Sequence, residues 1–234
     1  EAILANSREI THLLLARGVK LIVVACNTAT SLAIDDLRDR YPTVPFVGLE
    51  PAVKPARRGS KIGVLATAAT LSSDRYLALK GNFLKNKLVL EDPCRGLVST
   101  IEREAPGSTA LGRKLEAILH PMLSQGIDTL VLGCTHYPMV RKDIAAVCGP
   151  EVNIIDPSEA AARQVVRILD KYQLAFPTAG NPQSTLSSPV DNDAPVPGEA
   201  PDPSLGTCGP AHDFFCTGSS LPLQRSLFIL PNLN

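Results

Sequence analysis

The 234 residues carry 23 Lys+Arg against 23 Asp+Glu, so the chain as a whole offers no electrostatic footprint for nucleic acid or an anionic membrane. Aromatics amount to 4% with no Trp, which argues against a base-stacking platform, and no apolar run reaches the roughly 18 residues of a membrane span. The six cysteines are scattered without a C-x-x-C pair, which excludes a dense disulfide framework and points to free thiols in a reducing cytoplasm.

Residues 1–17 place Ile3, Leu4, Ile10, Leu13, Leu14 and Leu15 at helical spacing, and Gly18 closes the helix. Leu21 to Ala25 reads as a fully buried strand. A helix follows from about Thr28 to Arg40, stopped by Tyr41-Pro42, and Val44 to Gly48 forms the next strand. Residues 51–60, rich in Pro, Ala and basic side chains, cross to a second unit. There Lys61–Ala66 reads as a strand, 70–86 as a helix, Val89 as the opening of a short strand, and Leu97–Glu104 as a helix. A long helix over 109–124 ends at Gly126; a strand, a helix at 138–147, a strand at 152–155 and a helix from Pro157 to Tyr172 complete the body. Strands alternating with helices predict an α/β fold with parallel sheets covered on both faces.

Between Pro177 and Pro210 stand eight prolines, many Ser, Asp and Asn, and almost no large aliphatics, so 177–210 reads as a flexible linker. Apolar character returns at Phe214-Phe215-Cys216-Thr217 and Leu227-Phe228-Ile229-Leu230. These are expected either to dock back on the body as a strand and a helix or to form a frayed tail.

The chain also repeats itself. Gly18-Val19-Lys20-Leu21-Ile22-Val23-Val24-Ala25-Cys26-Asn27-Thr28 reappears as Gly126-Ile127-Asp128-Thr129-Leu130-Val131-Leu132-Gly133-Cys134-Thr135-His136. His12 and Leu15 match His120 and Leu123 at the same offset. Two related half-units, each delivering one cysteine at the end of an apolar strand, predict two thiols facing one another across a pocket.

In an open α/β sheet, ligands bind beyond the carboxyl ends of the strands, where Cys26 and Cys134 stand. Backbone N–H groups and the helix dipole there favour anions and are expected to lower a thiol's pKa from its usual ~8.5. One cysteine in such a place is more often a small core hydrophobe. Two at equivalent repeat positions, followed by Asn27-Thr28 and Thr135-His136, point to chemistry instead. His136, two residues past Cys134, is placed to exchange a proton with the reacting site. Cys94, Cys148, Cys208 and Cys216 lack that context, and His12 and His120 lie on helices remote from the strand tips. Cys134 with His136 gives two ligands where zinc wants four, and a cysteine hydrolase leaves the second cysteine unexplained. No nucleotide-binding glycine motif and no pyridoxal lysine stands out.

Three blocks carry a resemblance to a known family: Val23-Val24-Ala25-Cys26-Asn27-Thr28-Ala29-Thr30, Gly63-Val64-Leu65-Ala66-Thr67 with Thr70, and Leu132-Gly133-Cys134-Thr135-His136-Tyr137-Pro138. Over roughly residues 1–172 the chain resembles the glutamate racemases of the cofactor-independent aspartate/glutamate racemase superfamily. Phe215-Cys216-Thr217-Gly218 is similar to the family's closing F-x-T-G segment.

The resemblance implies two pseudo-symmetric parallel-sheet α/β domains with the active site in the cleft between them. The first would comprise 1–50 and 156–176, with 211–234 returning to it, and the second 51–155. It implies glutamate as substrate, no cofactor and no metal. One thiolate removes the α-proton and the opposite thiol delivers another, Cys26 and Cys134 being the pair. Asn27, Thr28, Thr70 and Thr135 would hold the substrate's amino and carboxylate groups, with His136 assisting Cys134 and Glu102 near that histidine. D-glutamate for peptidoglycan is the implied product, and a homodimer and a cell-wall-precursor effector are the implied partners. The family's opening D-S-G-x-G-G and P-Y-G segments do not occur here, so the sequence reads as N-terminally incomplete and lacking one catalytic assistant. The alternatives are racemisation of aspartate or another acidic amino acid, and a catalytically inactive truncated remnant.

Overall fold

The computed structural model describes residues 1–174; the linker at 177–210, the apolar return at 211–234, Cys208 and Cys216 lie outside the described residues. Residues 1–175 form one compact unit.

Helix α1 (Ala2–Leu15) leads into strand β1 (Ile22–Val24) through Gly18, whose φ of +71° only glycine adopts at no steric cost. The Gly18 N–H reaches the Leu15 carbonyl at 2.9 Å and the Val19 N–H the Leu14 carbonyl at 3.4 Å. Helix α2 (Asn27–Arg40) then carries the chain to β2 (Phe46–Gly48), which lies parallel to β1 with Ile22 opposite Phe46. The two strands form a sheet of their own. Ile22, Ala33, Ile34, Leu37 and Phe46 are buried behind it, and Arg8 of α1 pairs with Asp36 of α2 to tie the two helices together.

A short helix α3 (Val53–Ala56) precedes β3 (Lys61–Ala66). Then come α4 (Ala68–Leu71), α5 (Asp74–Phe83), β4 (Leu88–Asp92), α6 (Leu97–Arg103) and α7 (Thr109–Ser124). Strand β5 (Thr129–Gly133), a 3₁₀ turn (Tyr137–Val140), α8 (Arg141–Cys148), β6 (Asn153–Ile155) and α9 (Ser158–Lys171) follow. The second sheet has four strands in the order β4-β3-β5-β6, all parallel. Leu65, Leu130 and Leu132 face one side with Leu97, Leu111, Leu115 and Ile144. Ile62, Val64, Ala66 and Val131 face the other with Val53, Ala56, Tyr76 and Leu84. The period of two along each strand thus feeds two helical layers, which is why β3 and β5 are almost uniformly apolar. Each fully buried Leu or Ile contributes about 1.5–3 kcal/mol.

Three expectations are corrected. The predicted helix at 70–86 is two helices, because the Ser73 hydroxyl donates to the Thr70 carbonyl at 2.7 Å and accepts the Tyr76 N–H at 3.2 Å, capping a new start. The predicted helix at 138–147 opens as a 3₁₀ turn and becomes α-helical from Arg141. The strand at 21–25 is not fully buried: Val23 is 41% exposed, because β1 pairs only with β2 among the described residues, whereas Val47 beside it on β2 is buried. No helix among the described residues is long and apolar enough to cross a membrane.

Candidate active site

Cys26 follows β1 and is the N-cap of α2, with extended backbone at φ −149° and ψ 122°. Its carbonyl accepts the Thr30 N–H at 2.8 Å, and its sulfur accepts the Ala29 N–H at 3.4 Å. The sulfur therefore sits at the positive end of the helix dipole, and it is exposed. Thr30 locks this turn from below. Its hydroxyl donates to the Val24 carbonyl at 3.1 Å and accepts the Leu49 N–H at 3.0 Å, joining the ends of β1 and β2.

Cys134 follows β5 and is only 9% exposed. Its carbonyl accepts the Tyr137 N–H at 3.2 Å, which starts the 3₁₀ turn. Here the expected lowering of the thiol pKa is overturned. Burial pushes the Cys134 thiol up, the Cys26 charge adds to that, and the N–H groups of His136 and Thr135 offset it only in part. The neutral thiol is the resting form at neutral pH. A charge on Cys26 thus adds to the cost of charging Cys134.

His136 Nδ1 lies 3.9 Å from the Cys134 sulfur, and Nε2 lies 3.0 Å from Glu102 Oε1 on α6. Both side chains are about one-third exposed. The carboxylate can fix the ring so that one nitrogen faces the sulfur, a geometry suited to carrying a proton to or from it. Thr135 lies between Cys134 and His136, half-buried.

A third strand tip joins the first two. Thr67, at the end of β3, is the N-cap of α4 and accepts the Thr70 N–H at 3.3 Å. Its hydroxyl is 2.8 Å from that of Thr28 and 3.0 Å from that of Thr70, and Thr28 and Thr70 are 3.2 Å apart. Three hydroxyls from α2 and the β3 tip thus meet in one cluster, linking the Cys26 half of the unit to the half that holds Cys134. Next to Cys26, Asn27 is 2% exposed, yet neither its amide nitrogen nor its oxygen has a protein partner. A buried amide left unpaired costs about 1–3 kcal/mol, so such a group is either strained or reserved for something else.

Sequence reasoning passed over one member of the hydroxyl cluster. Thr67 was legible as a threonine at a strand end three residues before another, the pattern of a helix cap. Cys94, read from the sequence as structural or incidental, is a buried thiol pushed up to about 12, mainly by burial. It also lies beside Tyr137, which is fully buried and whose hydroxyl has no hydrogen-bond partner of normal geometry. Cys94 adopts φ +49°, and its N–H is held by Asp92 Oδ1 at 2.6 Å. No sequence pattern announces that conformation. A cavity of about 740 Å³ lined by Ser31, Asp35, Glu50, Ser73, Arg75 and Asn82 runs along α2 and α5 and contains neither cysteine. His120 lines another cavity with Gly107, Ser108 and Asp143, also without either cysteine.

The chain is 45% identical over 168 residues to a glutamate racemase of Ectopseudomonas mendocina, covering 70% of this chain and 64% of that protein. It is 45% identical over 195 residues to a glutamate racemase of Pseudomonas aeruginosa, covering 80% and 72%. The fold matches the crystal structure of Escherichia coli glutamate racemase in complex with L-glutamate and the activator UDP-MurNAc-Ala. That match has a TM-score of 0.66 and 30% identity over 72% of this chain and 65% of that one. The chain therefore spans about two-thirds of the length of these relatives. Residues 2–165 match the family described as Asp/Glu/Hydantoin racemase, and with the repeated cysteine tips inside that span the chain belongs to it.

Proposed function

We propose that this chain is the catalytic body of a cofactor-independent glutamate racemase that inverts the α-carbon of glutamate with two thiols. The observation that carries this reading is that Cys26 and Cys134 stand at equivalent strand tips, close enough that a charge on Cys26 helps to push the Cys134 thiol up. Inversion needs two such groups, because a single base that returns its own proton restores the starting configuration. In one direction Cys26, at the mouth of α2, takes the α-proton and Cys134 delivers its own to the opposite face; the other direction exchanges the roles. His136, held by Glu102, carries the proton that Cys134 gains or loses. The vacant amide of Asn27 and the hydroxyls of Thr28, Thr70 and Thr135 hold the substrate's amino and carboxylate groups.

Glutamate is favoured as substrate by the relatives and by the Escherichia coli structure with L-glutamate. The reading extends to D-glutamate supplied to peptidoglycan in the cytoplasm, where the four described cysteines would remain free thiols. It also extends to the two sheets as cores of two domains, to assembly with a second copy, and to a cell-wall precursor as effector. The Escherichia coli relative with its activator supports the last of these.

The test is α-proton exchange in deuterium oxide, with L-glutamate and D-glutamate in separate tubes and aspartate alongside. Loss of the α-hydrogen signal together with optical rotation, abolished by Cys26→Ser or Cys134→Ser, is the expected result. Exchange of aspartate but not glutamate overturns the substrate. A folded chain that exchanges neither overturns the activity.

A further inference from the structure

The two thiols belong to different sheets, and the contacts that set the space between them lie some way from both sulfurs. Cys26 caps α2, and α2 is locked to the end of β2. The Thr30 hydroxyl accepts the Leu49 N–H at 3.0 Å, and a Cβ on Gly48 would stand 2.5 Å from the Thr30 methyl. Glu50 and Pro51 follow directly and lead to α3 and the second sheet. There Pro51 abuts the tip of β5: a Cβ on Gly133, the residue before Cys134, would lie 3.3 Å from the Pro51 Cγ. The crossing at 50–51 therefore touches the supports of both thiols.

Arg75, the second residue of α5, grips this crossing. Its Nε donates to Glu50 Oε1, and its Nη1 lies 3.1 Å from both carboxylate oxygens of Asp35 on α2. The Arg75 and Glu50 side chains are about one-third exposed; Asp35 is more open and also meets Arg38 at 3.7 Å. Helix α5 follows β3 by way of the Thr67 and Ser73 caps, and β3 pairs with β5, so the guanidinium moves with the sheet that holds Cys134. Side chains of α2 and α5 line the cavity of about 740 Å³, and it is this polar fork that spans the space. The hydroxyls of Thr28, Thr67 and Thr70 make the matching contact at the thiol end of α2. Asp35 stands about two turns further along, and two separated contacts fix the direction of a helix where one would let it pivot.

We propose that Arg75 is a positioning residue that sets the gap between the Cys26 and Cys134 sulfurs by holding α2 and the Glu50-Pro51 crossing against α5. Its consequence for turnover rests on the two-thiol reading above; the clamp itself does not. A part-exposed ion pair contributes little to stability, so the effect is one of geometry. The planar guanidinium holds two carboxylates in fixed directions at once, which an ammonium point charge does not. A displacement of about 1 Å at a reacting centre is enough to lower turnover by about a hundredfold.

The experiment compares Arg75→Gln, Arg75→Lys and Asp35→Asn with the unaltered chain. Iodoacetamide modification at pH 7.5 is mapped by mass spectrometry, and α-proton exchange of glutamate is followed in deuterium oxide. Arg8→Gln, which breaks the Arg8–Asp36 pair between α1 and α2, is the control. With Tm nearly unchanged, Arg75→Gln should quicken modification of Cys134 about threefold or more, because Pro51 is no longer held against its strand tip. It should lower kcat for exchange about tenfold or more while KM changes less than about twofold. Arg75→Lys and Asp35→Asn should fall between, since each keeps part of the fork, and Arg8→Gln should match the unaltered chain. An unchanged Cys134 rate in Arg75→Gln overturns the clamp, as does an equal rise in Arg8→Gln. Undiminished exchange by Arg75→Gln overturns the positioning role. If Arg75→Gln does not fold, the surface change Asp35→Asn decides, and an unchanged Cys134 rate there overturns the proposal. Quickened modification in variants of a chain that itself exchanges no α-proton upholds the clamp and rejects the two-thiol activity.

Discussion

The two cysteine-bearing segments begin alike. Gly18 and Gly126 adopt φ of +71° and +72°, and each follows its helix with the same pair of backbone bonds. Gly126 N–H reaches Leu123 at 2.8 Å and Ile127 N–H reaches Met122 at 3.5 Å, as Gly18 and Val19 do to Leu15 and Leu14. Beyond the turn they part. All five residues of β5 are buried, since β3 and β6 flank it and helices cover both faces, whereas β1 has one partner and exposes Val23. Equivalent sequence positions therefore yield an exposed Cys26 and a Cys134 that is 9% exposed with a raised pKa. Local sequence fixes the turn and the strand; the surrounding sheet fixes how hard it is to charge the thiol.

Removing one thiol at a time breaks the comparison most severely. Cys26→Ser and Cys134→Ser should each lower racemisation by about 10²–10⁴-fold, the usual worth of a positioned acid or base. Deuterium exchange should fall unequally for the two enantiomers, in opposite senses for the two variants. Equal losses in both directions would sink the assignment of one thiol to each face.

A backbone substitution comes next. Gly133 and Ala25 occupy equivalent places before their cysteines. A Cβ on Gly133 would stand 2.8 Å from the Leu65 carbonyl and 2.8 Å from the Ala66 Cβ, whereas Ala25 is already exposed. Gly133→Ala should cost about 1–3 kcal/mol in chemical denaturation by overpacking. Ala25→Gly should cost less than that, and similar losses at the two sites would contradict the difference in strand packing.

The thiols can also be compared directly. Iodoacetamide at pH 7.5, mapped by mass spectrometry, should modify Cys26 about tenfold or more faster than Cys134, because burial both shields that sulfur and keeps it protonated. The rate at Cys134 should rise through alkaline pH, with Cys94 and Cys148, pushed up to about 12 and about 11 by burial, modified last. Comparable rates for Cys26 and Cys134 at pH 7.5 would refute the difference in environment.

The smallest effect concerns acid stability in the first half. Arg8 and Arg40 hold the Asp36 carboxyl down at about 2, below its ordinary 3.8. A depressed carboxylate stabilises the fold above its unfolded pKa, and that stability is lost as pH falls from about 4 toward about 2. Asp36 stands at the surface, so Asp36→Asn should flatten the acid limb only slightly in a pH titration of Tm. An unchanged acid limb would show that the pair does not couple to folding.

Periodicity and glycine placement determined much from the sequence alone. The alternation of strands and helices, the helix over 109–124, the strand at Lys61–Ala66 and the equivalence of the two cysteine tips follow from spacing. They do so because a period of two or 3.6 and a left-handed glycine are properties of a few consecutive residues. The meeting of His136 with Glu102 came from resemblance, for no local rule joins residues 34 positions apart. Only the tertiary structure decided that Thr67 completes the hydroxyl cluster and that Cys134 is harder to ionise than a strand tip suggests. Burial and the charges of neighbours are sums over every segment packed around a group, and a strand tip read along its own chain contains none of them.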